Sequence, residues 1–323
     1  MRAWSKSLAL LAHRSGGYKV VDLGDFRGTV KRDFPLRSLT TWRVGGHAEL
    51  LAIPENVDDL LHLLEAAKSQ SVPIYLLGGG SNVLIDDKGL RGITIRLGNA
   101  FRYLAVEGSN LRIGADTRMP MVAKKAAELG LRGFEHLIGI PGTIGAGIVM
   151  NAGKGTFDGP DMRSILQSVT YITEDLRVVT ATAQDLSLDY RFSWLKGKKT
   201  IVVEAIFHST DSAEPSVIQE EQRAILAERK RKFPLNLPNA GSVFMRPPNF
   251  PPAASLIDSA GLKGYRVGDA QVSQVHANFI VNLGNASSVD IIKLIEIVQE
   301  KVLQLHGVTL EREVMLLGNY ASN

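Results

Sequence analysis

Residues 73–83 read Pro73-Ile74-Tyr75-Leu76-Leu77-Gly78-Gly79-Gly80-Ser81-Asn82-Val83, and this stretch decides the fold class. Four apolar residues after a proline have the length of a short buried strand. Three glycines at its end keep side chains away from the main chain, so backbone amides there can point at a phosphate. Upstream, Asn56 can cap a helix, with Asp59 three residues on and Val57, Leu60, Leu61 and Leu64 as its apolar face. Helix, strand and glycine turn make an α/β beginning.

The glycine run lacks the G-x-G-x-x-G spacing of a Rossmann fingerprint. Gly153-Lys154 is followed by Gly155, not Ser or Thr, so no Walker loop is present either. A tight strand-to-turn crossing would explain the run as well as a cofactor would. A second segment shifts the balance: Ile140-Pro141-Gly142-Thr143-Ile144-Gly145-Ala146-Gly147-Ile148-Val149-Met150-Asn151-Ala152-Gly153. Its density of small residues suits close backbone approach to a ligand, the alternative being a helix packed tightly on a sheet. Two such segments about 60 residues apart favour a shared nucleotide site.

Further along, Tyr103–Val106 and Leu111–Ile113 flank Glu107-Gly108-Ser109-Asn110, and Val169–Thr173 and Arg177–Ala181 flank Glu174-Asp175-Leu176. Alternation with turn residues predicts two antiparallel hairpins, with a helix over Met119–Leu129 between them. Strands and helices in clusters favour α+β over a doubly wound sheet. Asp211–Pro215 turns polar and reads as a linker, followed by a helix over Val217–Lys232. Ser287 and Asp290 form a capping box for a helix bearing Ile291, Ile295, Val298, Val302 and Leu305 on one face. The expected organisation is an extension over 1–35, one domain over 36–211 in two parts (about 36–100 and 101–211), and a second over 212–323.

At 323 residues, two or three domains are expected. Lys and Arg number 37 against 33 Asp and Glu, too even a balance for a nucleic-acid field. The absence of cysteine excludes disulfides, thiolate nucleophiles and a cysteinyl cofactor link. Seven histidines show no metal spacing, so no metal site is expected. Residues 7–12 are too short an apolar run for a signal peptide and read as a helix or arm. No stretch reaches the roughly 20 apolar residues of a membrane span, and a cytoplasmic protein is expected, as a monomer.

Chemistry gathers at three separated residues. Leu237-Pro238-Asn239-Ala240-Gly241-Ser242-Val243-Phe244 puts the Ser242 hydroxyl at a glycine-bounded strand start. Arg191 stands in Asp-Tyr-Arg-Phe-Ser, and Glu313 in Leu-Glu-Arg-Glu-Val. Glu311 and Glu313 lie two apart on an expected strand. The run Arg229-Lys230-Arg231-Lys232 ends a helix, where cations suit the dipole; its place before Pro234 and the Ser242 loop favours a phosphate role over a solvated end.

In this order, Thr40–Gly46, Gly78–Val83, Ile140–Gly153, Tyr190-Arg191, Asn239–Phe244, His276-Ala277-Asn278-Phe279 and Leu310–Val314 resemble the UDP-N-acetylenolpyruvoylglucosamine reductases, the MurB-type flavoenzymes of peptidoglycan synthesis. The similarity covers roughly residues 36–320, and the missing tyrosine-loop insertion matches the shorter, second type. The resemblance implies an α+β chain: a two-part FAD-binding fold of the vanillyl-alcohol-oxidase (PCMH) type and a C-terminal substrate domain. It implies non-covalent FAD, reduced by NADPH as co-substrate, passing hydride to the enolpyruvyl group of a UDP-sugar. Carried onto this chain, Arg191 and Glu313 hold the substrate carboxylate and Ser242 protonates the α-carbon. Arg43, Leu77, Gly78, Gly79, Gly80, Ser81, Asn82, Val83, Ile140, Pro141, Gly142, Gly145, Ala146, Gly147, Val149 and Asn151 would meet the cofactor. Arg229, Lys232, Asn239 and His276 would meet the substrate. Met245, Asp269, Met315 and a longer stretch after Gly153 depart from the family pattern. Another flavin oxidoreductase on this fold, or an inactive nucleotide-binding homologue, are the competing readings.

Overall fold

The computed structural model describes residues 9–14, 17–153 and 159–320. It opens on an antiparallel hairpin, β1 (Ala9–Arg14) with β2 (Gly17–Asp22), where the sequence suggests a helix or arm over 7–12; residues 7 and 8 lie outside the described residues. A helix of six residues is not stable alone, whereas strand pairing satisfies the main chain at once. Val21, Leu23 and Phe26 are buried in a core, so this part of the segment set apart as an extension is built into the fold.

Next come β3 (Thr29–Pro35), β4 (His47–Ile53) and α1 (Val57–Ser69). Asn56 caps α1, its side-chain oxygen accepting from the Asp59 amide at 2.8 Å, and Leu60, Leu63 and Leu64 face inward. Then follow β5 (Ile74–Leu76), β6 (Val83–Ile85) and β7 (Leu90–Ile95). The sheet order β3-β4-β7-β5 leaves β5 on an edge, in parallel register with β7. Ile74 and Leu76 are therefore 36% and 40% exposed, a correction to the buried strand that the apolar run suggests. Leu77, one residue on, is buried.

Both expected hairpins form: β8 (Leu104–Glu107) with β9 (Asn110–Gly114), and β10 (Leu166–Ile172) with β11 (Val178–Thr182). Between them lie α2 (Met119–Glu128) and α3 (Ile144–Val149). A strand without a local turn signal, β12 (Ile201–His208), joins the hairpins into one antiparallel sheet, β11-β10-β12-β9-β8. The C-terminal region adds α4 (Pro215–Lys232), α5 (Ala253–Ser259), β13 (Arg266–Val267), β14 (Ala270–Val272), β15 (Ile280–Asn282), α6 (Ser288–His306) and β16 (Met315–Leu317). Both arms of the Ser287–Asp290 capping box are present on α6. Leu294 takes the buried place expected for Leu305, which is 59% exposed in the last turn.

The chain forms two compact units, neither continuous in sequence. The first takes Met1–Arg32, Glu49–Gly79 and Arg91–Ala227; the second takes Asp33–Ala48, Gly80–Leu90 and Glu228–Asn323. This corrects the expected break at 211/212. Ile218 is buried, Gln222 donates to the Ala123 carbonyl at 2.8 Å, and Arg132 pairs with Glu221, so the first half of α4 belongs to the first unit. In the second unit, β16 pairs in parallel with β6, and Trp42, Val44 and Leu84 share a core with α5 and α6.

Candidate active site

The second unit brings Ser242 and Glu313 onto adjacent backbone. The Glu313 amide donates to the Val243 carbonyl at 2.8 Å, and the Met245 amide to the Glu311 carbonyl at 2.9 Å. Neither segment is the strand expected from sequence; they meet through one isolated bridge, Phe244 to Arg312, and β16 begins only at Met315. The reason lies in a side chain. Asn278 accepts from the Phe244 amide (3.0 Å) and donates to the Phe244 carbonyl (2.8 Å), replacing a ladder neighbour. Asn239 likewise spends its amide locally, donating to the Pro234 and Leu237 carbonyls and accepting from Gly241, so it shapes the turn before Ser242.

Glu313 is held from its other side by Asn82, whose Nδ2 donates to the Glu313 carbonyl at 3.1 Å while the Asn82 carbonyl accepts from Met315. Glu313 is half-buried, whereas Glu311 is exposed. Ser242 is half-buried too. A hydroxyl and a carboxylate thus stand on two main-chain segments pinned to each other.

Around the basic end of α4, Arg229 lies over the Phe233 ring at 4.9 Å. Phe233 in turn packs on His276 and Phe279, both at 5.1 Å between ring centroids. Burial pushes the Arg229 guanidinium below its usual range, and it pushes the His276 imidazole down as well, with Lys263 adding to the effect. A partly desolvated cation gains more from an anion than one in water. Lys232 is exposed and paired with Glu228 one turn back. Phe233 carries no signal in the sequence beyond an aromatic between a lysine and a proline.

In the first unit the two glycine-rich segments meet. A Cβ on Gly79 would stand 2.7 Å from the Gly142 Cα, and one on Gly78 would stand 2.9 Å from the Thr143 hydroxyl. Among the described residues, the Gly78 and Gly79 amides donate to no backbone carbonyl. Unspent donors on a surface without side chains fit a pyrophosphate. Ile140, Gly142 and Val149 are half-buried and Pro141 and Ala146 exposed beside this contact, while Leu77 turns its side chain into the core. In the second unit Gly80 is buried, Ser81 and Val83 are half-buried, and Arg43 is exposed.

Three of the expected cofactor residues also have structural roles. A Cβ on Gly145 would reach Ala115 at 3.0 Å, and one on Gly147 would reach the Met162 Cε at 2.5 Å, so both serve the packing of α3. Asn151 is 1% exposed, and its amide goes to Asp161 and to the Asp189 carbonyl. Arg191 sits at the corner of the turn closed by Asp189 and Phe192, with φ of 52°. Its Nη2 donates to the Gly153 carbonyl at 3.3 Å.

Among the described residues no group of His, Cys, Asp or Glu could hold a metal ion, and no helix is long and apolar enough to cross a membrane. Main-chain donors cleared by glycine fit the class of nucleotide-binding proteins, and residues 48–182 match the FAD binding domain family, which makes the chain a flavoprotein. Residues 233–317 match the C-terminal domain family of UDP-N-acetylenolpyruvoylglucosamine reductase. A reductase of that name from Symbiobacterium thermophilum is 41% identical over 292 residues, 90% of this chain and 93% of the relative. One from Heliobacterium modesticaldum is 37% identical over 91% of this chain and 93% of its own length. The crystal structure of the Thermus caldophilus enzyme superposes with a TM-score of 0.75 at 32% identity, covering 90% of this chain and 99% of that one. The chain belongs to the UDP-N-acetylenolpyruvoylglucosamine reductase family.

Proposed function

We propose that this chain reduces the enolpyruvyl group of UDP-N-acetylglucosamine enolpyruvate to the lactyl ether of UDP-N-acetylmuramate, with NADPH as electron donor, in peptidoglycan precursor synthesis. The observation that supports the reading is the backbone bond from the Glu313 amide to the Val243 carbonyl, which ties the segment carrying Glu313 to the one carrying Ser242. FAD, when bound, supplies the hydride that adds to the β-carbon of the enol ether.

The chain's own residues do the rest. Gly78 and Gly79 offer main-chain amides to the cofactor pyrophosphate; the chain has no cysteine and neither glycine-rich segment contains a histidine, so the cofactor is held non-covalently. Arg229, desolvated against Phe233, takes the substrate's diphosphate, with Lys232 at its rim; His276 backs the same wall. Arg191 and Glu313 hold the enolpyruvyl carboxylate, on which charge builds as the β-carbon is reduced, and fixed polar groups lower the cost of that charge. The Ser242 hydroxyl then protonates the α-carbon. A hydroxyl is a weak acid, so this step needs a strongly basic carbon held in line with it.

The test separates the half-reactions. Ser242→Ala should leave FAD reduction by NADPH near the wild-type rate and slow reoxidation by the UDP-sugar by ~100-fold or more, as loss of a general acid does. Stopped-flow absorbance of the flavin reads both. Normal reoxidation in the alanine variant would end the assignment.

A further inference from the structure

Asp161 is 9% exposed, caps the helical turn Met162–Ser164 and pairs with the Arg163 guanidinium at 3.5 Å. It follows the second glycine-rich segment and returns to it through a bridge with Gly153, so close that a Cβ on Gly153 would stand 2.5 Å from the Asp161 Cβ. Its Oδ2 accepts from the Asn151 Nδ2 at 2.9 Å, and its Oδ1 from the Arg163 amide at 3.0 Å.

Asn151 passes this contact on. The second hydrogen of its Nδ2 goes to the Asp189 carbonyl at 2.8 Å, and its Oδ1 accepts from the Arg163 amide at 3.2 Å. A carboxylate and a carbonyl are both acceptors, so together they fix which end of the Asn151 amide is the donor. Asp189 opens the turn that carries Arg191, and its amide and carbonyl both bond Phe192 at 3.0 Å to close it. Arg191 itself has φ of 52°, a left-handed conformation that non-glycine residues rarely adopt. Such a conformation persists only where the surroundings hold it. Lys196 adds a bond from its Nζ to the Arg191 carbonyl at 3.0 Å, and the Ser193 hydroxyl one to the Val149 carbonyl at 2.7 Å.

The geometry points to Asp161 as a positioning residue for the reaction: through the Asn151 amide it fixes the Asp189–Phe192 turn that presents Arg191 to the substrate carboxylate. The inference rests on the assignment of Arg191 given under the proposed function. Asp161 touches neither substrate nor cofactor in this role; it acts by holding a donor in one orientation, and a misplacement near 1 Å can cost about a hundredfold in rate.

The experiment uses the FAD-loaded full chain and reads four quantities: flavin content, melting temperature, FAD reduction by NADPH and reoxidation by the UDP-sugar. Asp161→Ala should retain FAD and its reduction rate but slow reoxidation by roughly tenfold to a hundredfold. Asp161→Asn, which keeps an acceptor for the Asn151 Nδ2, should recover most of that loss. In an Arg191→Ala background, Asp161→Ala should cost nothing more, since the two act as one unit. The exchange Asn151→Asp with Asp161→Asn restores the contact between the two positions but faces the Asp189 carbonyl with a carboxylate; it should stay slow. Recovery by that exchange, additive losses in the double variant, or an Asp161→Ala protein that sheds FAD or slows both half-reactions alike would show a purely structural tie and overturn the inference. An unaffected Arg191→Ala enzyme would instead overturn the assignment of Arg191.

Discussion

His136 shows how much a single buried side chain can set at the residue scale. It is 8% exposed, its Nε2 has no partner among the described residues, and burial pushes its pKa down to about 4 despite the nearby Asp161. Its folded value lies below the unfolded one of about 6.5, so between those values the unfolded chain binds the proton and the folded chain does not. Its contribution is constant above pH ~6.5 and stability falls as pH drops towards 4, by up to about 3 kcal/mol. Urea unfolding across that range should show the slope, and His136→Phe should flatten it; an unchanged slope would place the titrating group elsewhere. What the sequence reveals at this scale is chemical type. Ser242, Arg191 and Glu313 stand out because hydroxyl, guanidinium and carboxylate suit the reaction. Their supports do not stand out: Asn82 reaches Glu313 across 231 positions, and no local pattern records that bond.

Elements were legible where the signal is local. The Asn56 cap, the Ser287–Asp290 box and both hairpins are encoded within a few residues, and all form. Strand status at Ser242 and Glu313 was not, because a side-chain amide, Asn278, supplies bonds that the alternation rule credits to a neighbouring strand. The glycine-rich segments carried two meanings that composition could not separate. Gly145 and Gly147 let α3 settle on its neighbours, whereas Gly79 passes backbone to backbone against Gly142. A side chain at Gly79 has no flexible group to push aside, only main chain at 2.7 Å. Gly79→Val should therefore separate the two segments, cost about 1–3 kcal/mol as overpacking does, and purify with little FAD. Full flavin occupancy in that variant, measured from its visible spectrum, would remove the pyrophosphate from this place.

On the scale of the whole molecule, composition predicted more than one domain but not that each would be assembled from distant pieces. Residues 33–48 and 80–90 look in sequence like parts of the cofactor half, since they adjoin its motifs, yet their side chains complete the second core. Trp42 is fully buried there; its Nε1 donates to the Ile280 carbonyl at 2.7 Å, and its own carbonyl accepts from Asn282 at 3.0 Å. β6 supplies the partner of β16, and Asp87 accepts from both the amide and the hydroxyl of Ser288 at the start of α6. A fragment of residues 228–323 would thus expose the apolar surface that Trp42, Val44 and Leu84 cover and leave one strand unpaired. Small domains have little stability to spare, so the loss decides the outcome. The fragment should show no cooperative unfolding transition in denaturant, even though it contains the whole match to the C-terminal domain family. In the full chain, Trp42→Ala should cost about 3–5 kcal/mol by emptying that core, read as a lower midpoint with the slope unchanged. A cooperative transition from the isolated fragment would mean that α5, α6 and the three short strands close a core without the two inserted segments, and the division into interleaved units would then describe contact and not folding.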